Sequence, residues 1–240
     1  MRPLHEMILE AASQQGPNFA SRRNVLALAG AAAAAPVEFG LSSSLATVDA
    51  AKKKSNNNQN KNDKQRKRKQ RDLKNDIAVL NYALTLEHLE YAFYRDGLAQ
   101  FDANDFNGFI DPDLFARLGD IRAHEQTHVD TLTSIIQDAG GTPVAECTYD
   151  FGPEFTTPSG FLGIAQLLEN TGVMAYDGAL ATINSADYQT AGATIATVEA
   201  RHASYLNLIN DDNPFPDAFD MPKSQSEILA AAGGFIVSCP

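Results

Sequence analysis

Four segments of the chain repeat apolar residues at spacings of three and four, the pattern of a helix with one buried stripe. The predicted helices run from about Leu73 to Gln100, from Asp111 to Gly140, from Thr157 to just before Ser185, and from about Ser185 to Asn210. Several of these ends carry the residues preferred there, such as Asp or Thr followed by Pro at a start and Gly at an end. The pattern therefore predicts an all-α domain.

The connections between these helices predict their arrangement. About ten residues join the first helix to the second, and very few join the third to the fourth, which is typical of antiparallel pairs. Between the pairs lie about 17 residues, from Gly140 to Thr157, enough to cross the length of a bundle. We expect a four-helix bundle with one long crossover between helices two and three, followed by a short C-terminal helix opened by Ser224 and Glu227.

Each predicted helix carries a glutamate in the middle of its apolar stripe, and on two helices a histidine follows three residues later. The six residues are Glu87, Glu125, His128, Glu169, Glu199 and His202. Residues three apart lie on one helical face with Cβ atoms about 5–6 Å apart, close enough to share an ion. A carboxylate buried without a partner costs several kcal/mol, and no stripe contains Lys or Arg. Two divalent cations would balance four carboxylates, so the sequence predicts a two-metal site with these six ligands.

The two halves of the domain repeat one another weakly. Tyr94 follows Glu87 by seven residues, and Tyr176 follows Glu169 by the same interval. Each tyrosine could hydrogen-bond to a ligand on a neighbouring helix, although simple core filling explains both equally well. Glu90 lies one turn from Glu87 but outside the continuous stripe, so we expect it to support the ligands from beside the site.

Two further histidines, His88 and His124, fall off the stripes. Buried histidines are less common than exposed or partly exposed ones. We therefore expect both at the surface or behind the ligands, without contact to a metal ion.

Residues 1–46 contain an arginine pair, Ser21-Arg22-Arg23-Asn24-Val25-Leu26, before an Ala-rich apolar run. This resembles a twin-arginine export signal, and a chance arginine pair is the alternative. We expect an exported protein, located in the periplasm, the cell envelope or the extracellular space.

Residues 47–72 form a basic segment, and 11 Lys or Arg occur between positions 52 and 74. Such a composition predicts a disordered linker. It would either bind an anionic envelope surface or the acidic body of a second copy, or serve only as a solvated connection. The remaining domain, residues 73–240, is acidic: from residue 75 onward it has five Lys or Arg against 24 Asp or Glu. This charge disfavours nucleic acid as a partner.

The chain has two cysteines, Cys147 and Cys239. Their spacing fits neither a metal knuckle nor a redox pair. An exported protein could join them in a disulfide, but sequence alone does not give the Cα separation on which pairing depends.

Four motifs carry a family resemblance: Leu-Glu-His-Leu-Glu-Tyr at 86–91, Ala-His-Glu-Gln-Thr-His at 123–128, Leu-Glu-Asn-Thr-Gly at 168–172 and Glu-Ala-Arg-His at 199–202. They resemble the ferritin-like superfamily, especially its exported members related to desiccation-related proteins, over about residues 72–211. The resemblance implies bridging roles for Glu125 and Glu199. It also implies one ion completed by Glu87 and His128 and a second completed by Glu169 and His202. Gly172 stands where some relatives carry an additional carboxylate.

The resemblance implies two divalent ions, iron or manganese, and a reaction with O2 or peroxide of the oxidoreductase, ferroxidase or catalase-like type. The alternative is a non-enzymatic stress or cell-surface protein whose metal stabilises the bundle. A storage cage is a third reading, and we expect a homo-oligomer as one of the states open to such a chain.

Overall fold

The computed structural model describes the backbone of residues 48–240 and the side chains of residues 61–240. The long helices are α1 (Val48–Leu98), α2 (Leu114–Asp138), α3 (Pro158–Leu180) and α4 (Ala186–Ile209), followed by a short α5 (Gln225–Ala232). Two short strands, β1 (Thr148–Tyr149) and β2 (Ile236–Ser238), and three single 3-10 turns complete the described part. The predicted all-α bundle with a long crossover and a short C-terminal helix is confirmed. The predicted export signal at residues 1–46 lies outside the described residues.

The basic segment lies in a helix. The sequence predicted a disordered linker for residues 47–72, and residues 48–72 form the first half of α1. Lys, Arg and Gln are good helix formers, and an ion pair of 3.7 Å joins Arg66 to Asp63 one turn earlier. The side chains of residues 61–71 are nearly all exposed, so this stretch is a helix that buries almost nothing. The chain divides near residue 71, and residues 72–240 form one compact unit.

Local capping fixes the ends of the other helices. Thr157 caps α3 as predicted, because its hydroxyl accepts a hydrogen bond from the amide of Gly160. Ser224 and Glu227 form the predicted capping box of α5. α2 begins at Leu114 instead of Asp111, since the carboxylate and carbonyl of Asp111 bind the amides of residues 113 and 114 in a separate turn before the helix.

The core of the compact unit has two apolar clusters with a polar layer between them. One cluster is centred on the aromatic residues Phe93 and Phe161, and the other contains Leu84, Leu132 and Ile195. Along each long helix most members of one cluster precede the glutamate in the stripe, and most members of the other follow it. The glutamates are therefore enclosed between two dry layers. No helix of the described residues is both long and apolar enough to cross a membrane.

The crossover is tied to the C-terminus. β1, within the crossover, pairs antiparallel with β2, and the amide of Asp150 donates to the carbonyl of Phe235 at 2.9 Å. Cys147 and Cys239 are joined by a disulfide across these strands. The pairing that the sequence left open is thus present in the structure.

Candidate metal centre

The polar layer brings together one glutamate from each long helix. Glu87, Glu125, Glu169 and Glu199 are completely buried, and His128 and His202 are nearly so. Each lies in the apolar stripe of its helix, so the packing that buries the stripe also turns its carboxylate inward. All six residues predicted as ligands are therefore in one place.

The six side chains form two overlapping donor groups. The first contains Glu87, Glu125, His128 and Glu199, and the second contains Glu125, Glu169, Glu199 and His202. In each group one ligand atom per residue lies within 4.8 Å of all the others. Only Glu125 and Glu199 belong to both groups.

The two shared glutamates divide their oxygens between the histidines. Nδ1 of His128 lies 3.1 Å from Oε2 of Glu125 and 3.0 Å from Oε1 of Glu199. Nδ1 of His202 lies 3.1 Å from Oε1 of Glu125 and 3.6 Å from Oε2 of Glu199. Each shared carboxylate thus points one oxygen at each side of the centre, which is the arrangement of a bridging ligand.

The other two glutamates each serve one side. Oε2 of Glu87 lies 3.1 Å from Nδ1 of His128, and Oε2 of Glu169 lies 3.1 Å from Nδ1 of His202. Each Nδ1 consequently faces three carboxylates, although a single N–H cannot bond well to all three. Oε1 of Glu125 and both oxygens of Glu199 lack a hydrogen-bond donor. Buried oxygens converging without donors fit a positively charged ligand between them.

The two predicted tyrosines bind the outer glutamates crosswise. The hydroxyl of Tyr94 on α1 donates to Oε1 of Glu169 on α3 at 2.7 Å, and that of Tyr176 on α3 donates to Oε1 of Glu87 on α1. The two bonds also show that α1 and α3 run in opposite directions. Burial and the neighbouring glutamates raise the pKa of both tyrosines well above the ordinary value, so each stays a donor.

A family model described as a ferritin-like domain matches residues 75–211. The chain belongs to the ferritin-like family. The matched range contains the four glutamates of the two donor groups, both of their histidines and both tyrosines that bond to them. A comparison with curated proteins gave no match.

Without metal, this ferritin-like centre must hold protons to limit its charge. Burial raises the pKa of Glu87 to about 8 and that of Glu169 well above its usual value. Burial alone would lower the pKa of His128 and His202, but the carboxylates around them raise it well above 6.5. For Glu199 burial opposes ionisation, yet the two histidines beside it hold its pKa below the usual range.

The donor set fits two cations. Among residues 61–240 no Lys or Arg side chain is buried, so no fixed cation of the described protein can neutralise the glutamates. Two carboxylates shared between two carboxylate–imidazole pairs match the oxygen and nitrogen ligands of divalent iron or manganese. The ferritin-like cluster is compatible with a di-metal site.

Glu90 is more deeply buried beside the centre than the sequence indicated, whereas His124 lies where it was expected. Glu90, expected beside the site, is 3% exposed. Burial raises the pKa of its carboxyl group well above the ordinary value, and so do the nearby carboxylates of Glu199, Glu87, Glu169 and Glu125. Its spacing of three from Glu87 is the spacing that paired Glu125 with His128, and this signal could have placed it on the inner face. His124 contacts His202, which places it behind a ligand as expected.

His88 is the histidine that stays away from the centre. Its Nε2 lies 3.3 Å from the carbonyl oxygen of Val144 in the crossover, and the side chain is half-buried. It has no part in either donor group. This agrees with its position off the apolar stripe of α1.

Proposed function

We propose that this ferritin-like protein binds two divalent ions, iron or manganese, in a carboxylate-bridged centre and that the loaded centre reacts with O2 or peroxide. The observation that carries the proposal is the shared pair, Glu125 and Glu199, with oxygens directed to both histidine sides. When bound, such a metal pair exchanges electrons with a small oxidant.

The protein residues would position the two ions, exclude water from them and balance their charge. The shared glutamates hold the two ion positions close together, and the tyrosines fix the outer glutamates through their Oε1 atoms. The apolar clusters on both sides exclude water and larger molecules. A centre enclosed in this way favours a small substrate such as O2 or hydrogen peroxide over an organic one.

The complete burial of the four ligand glutamates supports the alternative of a structural metal site. In that case the ions would stabilise the bundle without turnover. The two functions differ in reactivity and not in metal content.

Metal content and turnover of the full-length protein test the proposal. We expect two ions per chain after purification with iron or manganese, and consumption of O2 or peroxide by the loaded protein. Glu125→Ala should lose both ions, because Glu125 belongs to both donor groups. Glu87→Gln should lose one, and the exposed Glu154→Gln serves as the control.

Two ions without turnover would select the structural function. Failure of the wild-type protein to bind metal would refute both. Equal metal content in wild type and Glu125→Ala would show that the ions bind elsewhere.

We further propose that the protein is exported and that its basic helix contacts an anionic envelope surface or a second copy. The arginine pair at positions 22–23 and the 11 basic residues between 52 and 74 support this. The disulfide also fits an oxidising compartment, since disulfides are rare in the cytosol. Fractionation of cells producing the full chain, followed by determination of its mature N-terminus, tests export.

A further inference from the structure

Glu90 is a buried acid that neither donor group uses. It lies on α1 one turn after Glu87, is 3% exposed, and its Oε2 has no hydrogen-bond partner. A buried carboxyl oxygen without a donor is unfavourable, and such groups usually have a functional reason. Its surroundings indicate what that reason is.

Gly172 on α3 makes room for Glu90. A Cβ atom at Gly172 would lie 2.9 Å from Oε1 of Glu90 and 3.8 Å from Oε2 of Glu199. The first distance is too short for a real contact, so any side chain at position 172 would displace the Glu90 carboxyl group. Glycine here keeps Glu90 beside a shared ligand of the centre.

The two residues occupy equivalent positions of the repeated halves. Glu90 follows Glu87 by three residues, and Gly172 follows Glu169 by three. One half therefore provides a carboxylate at this level of the bundle, and the other half provides the space for it.

The charged groups that act on Glu90 are all acidic. They are Glu87 on its own helix, Glu125 on α2, Glu169 on α3 and Glu199 on α4. None of these can donate a hydrogen bond when ionised. Burial and the nearby Glu90 raise the pKa of Tyr82 to about 12, but the Tyr82 hydroxyl also has no hydrogen-bond partner and so does not satisfy Glu90. A cation in that centre is the partner that would satisfy the free oxygen of Glu90.

We propose that Glu90 is a fifth carboxylate ligand of the metal pair and that position 172 is glycine to admit it. The inference rests on the proposed metal centre. It assigns a ligand beyond the six residues of the two donor groups, and it explains the glycine in the middle of the otherwise well-packed α3.

Cobalt(II) titration of the full-length, metal-depleted protein under anaerobic conditions tests this inference. Visible absorption of Co(II) intensifies as its coordination number falls, so the spectrum reports the loss of a ligand independently of turnover. We expect Glu90→Gln to bind about 10–100-fold more weakly than wild type and to give stronger visible bands. Gly172→Ala should change affinity and spectrum in the same direction.

Gly163→Ala is the matched control. Gly163 lies on the same helix, and a Cβ there would meet no atom within 4 Å. Both glycine variants gain helix propensity, but only the one at position 172 should alter cobalt binding. In a Glu90→Ala background, Gly172→Ala should have no further effect, since the group it displaces is gone.

An unchanged affinity and spectrum in Glu90→Gln would overturn this inference while leaving the metal centre intact. A wild-type protein that binds no cobalt would overturn the metal centre and the inference together. Circular dichroism of the metal-free variants checks their folding. Should Gly172→Ala fail to fold, the nearly isosteric Glu90→Gln decides the question alone.

Discussion

Nδ1 of His124 lies 2.9 Å from Nε2 of His202, and the two imidazole rings stack with their centroids 5.2 Å apart. The other nitrogen of His202 faces the carboxylates of the centre. If Nδ1 of His202 held a cation, its Nε2 would carry the hydrogen and donate it to Nδ1 of His124. Burial and the adjacent His202 lower the pKa of His124, which keeps it a neutral acceptor. Among the hydrogen bonds of residues 61–240, none involves Nε2 of His128.

Replacing His124 should therefore affect one ion more than the other. We expect His124→Ala to weaken the ion on the His202 side by about 10-fold or more and to leave the His128 side nearly unchanged. Calorimetric titration would then show one tight and one weakened ion. His88→Ala is the control, because the His88 ring hydrogen-bonds with the crossover carbonyl of Val144 and belongs to neither donor group. Equal weakening of both ions would contradict an orienting role for His124.

The hydrogen bonds from Tyr94 and Tyr176 lead to a second prediction, in which each variant affects one ion and not the other. Tyr176→Phe removes the donor to Glu87, and Tyr94→Phe removes the donor to Glu169. Tyr176→Phe should weaken the ion on the Glu87 side by about 10–100-fold, and Tyr94→Phe should weaken the ion on the Glu169 side to the same extent. A ligand carboxylate without its hydrogen bond is less ordered, so it loses more conformational entropy when it binds metal. Titration followed by metal analysis measures this. Tyr188→Phe, at the edge of an apolar cluster, should bind like wild type.

Without metal, stability should fall as pH rises from about 5 to 8. The pKa of Glu87 is raised to about 8 by burial, and those of Glu169, His128 and His202 are also raised. Groups with a raised pKa in the folded state bind more protons than in the unfolded state, so their contribution is lost as pH increases through the folded value. The lowered pKa values of Glu199 and Glu125 act oppositely, but only in acid, below about 4.5. The lowered pKa of His124 offsets part of the fall near pH 6.5.

Calorimetry of the metal-depleted protein measures this pH effect. We expect the melting temperature to drop by about 5–10 °C over the interval, based on roughly 1.4 kcal/mol per unit of pKa shift. Addition of manganese or iron should remove most of the drop, since the ions replace the protons. Glu87→Gln should flatten it in part. A metal-free melting temperature that rises toward pH 8 would disprove the proton-holding centre.

Loss of the disulfide should destabilise the domain while sparing the centre. The bond joins residues 92 positions apart, and closing so long a loop restricts the unfolded chain strongly. We expect Cys147→Ser with Cys239→Ser to lower the free energy of unfolding by about 2–4 kcal/mol in denaturant titrations. Metal stoichiometry should stay at the wild-type value, because neither cysteine belongs to a donor group. A loss of both ions would show that the crossover positions the ligands.

The sequence predicted most of the centre because the apolar stripe itself identifies the inward face of each helix. A glutamate that stands in the stripe in place of an apolar residue, such as Glu125, must point its side chain into the bundle. Glu90 lies at the edge of its stripe, and its burial depends on the absence of a side chain at Gly172 on another helix. Sequence spacing within one helix does not reveal what faces it from a neighbour.

Two other differences also have physical causes. The basic half of α1 has a composition that cannot form a core, from which disorder was predicted, although Lys and Arg still favour helix. The Cys147–Cys239 pair depends on a Cα separation that β1 and β2 establish across 92 residues of chain. Both features arise outside the periodic segments on which sequence interpretation relies.

The crosswise tyrosine bonds mean that neither helical hairpin has a complete set of partners by itself. Two identical hairpins associated about a two-fold axis would assemble the same shared glutamates and the same tyrosine pairs, so this single chain has the internal plan of a homodimer. The repeat is broken where Glu90 faces Gly172 and where His124 corresponds to Val198 in the other half. These departures from symmetry make the two donor groups chemically unlike, so two ions bound there would differ in affinity and in reactivity.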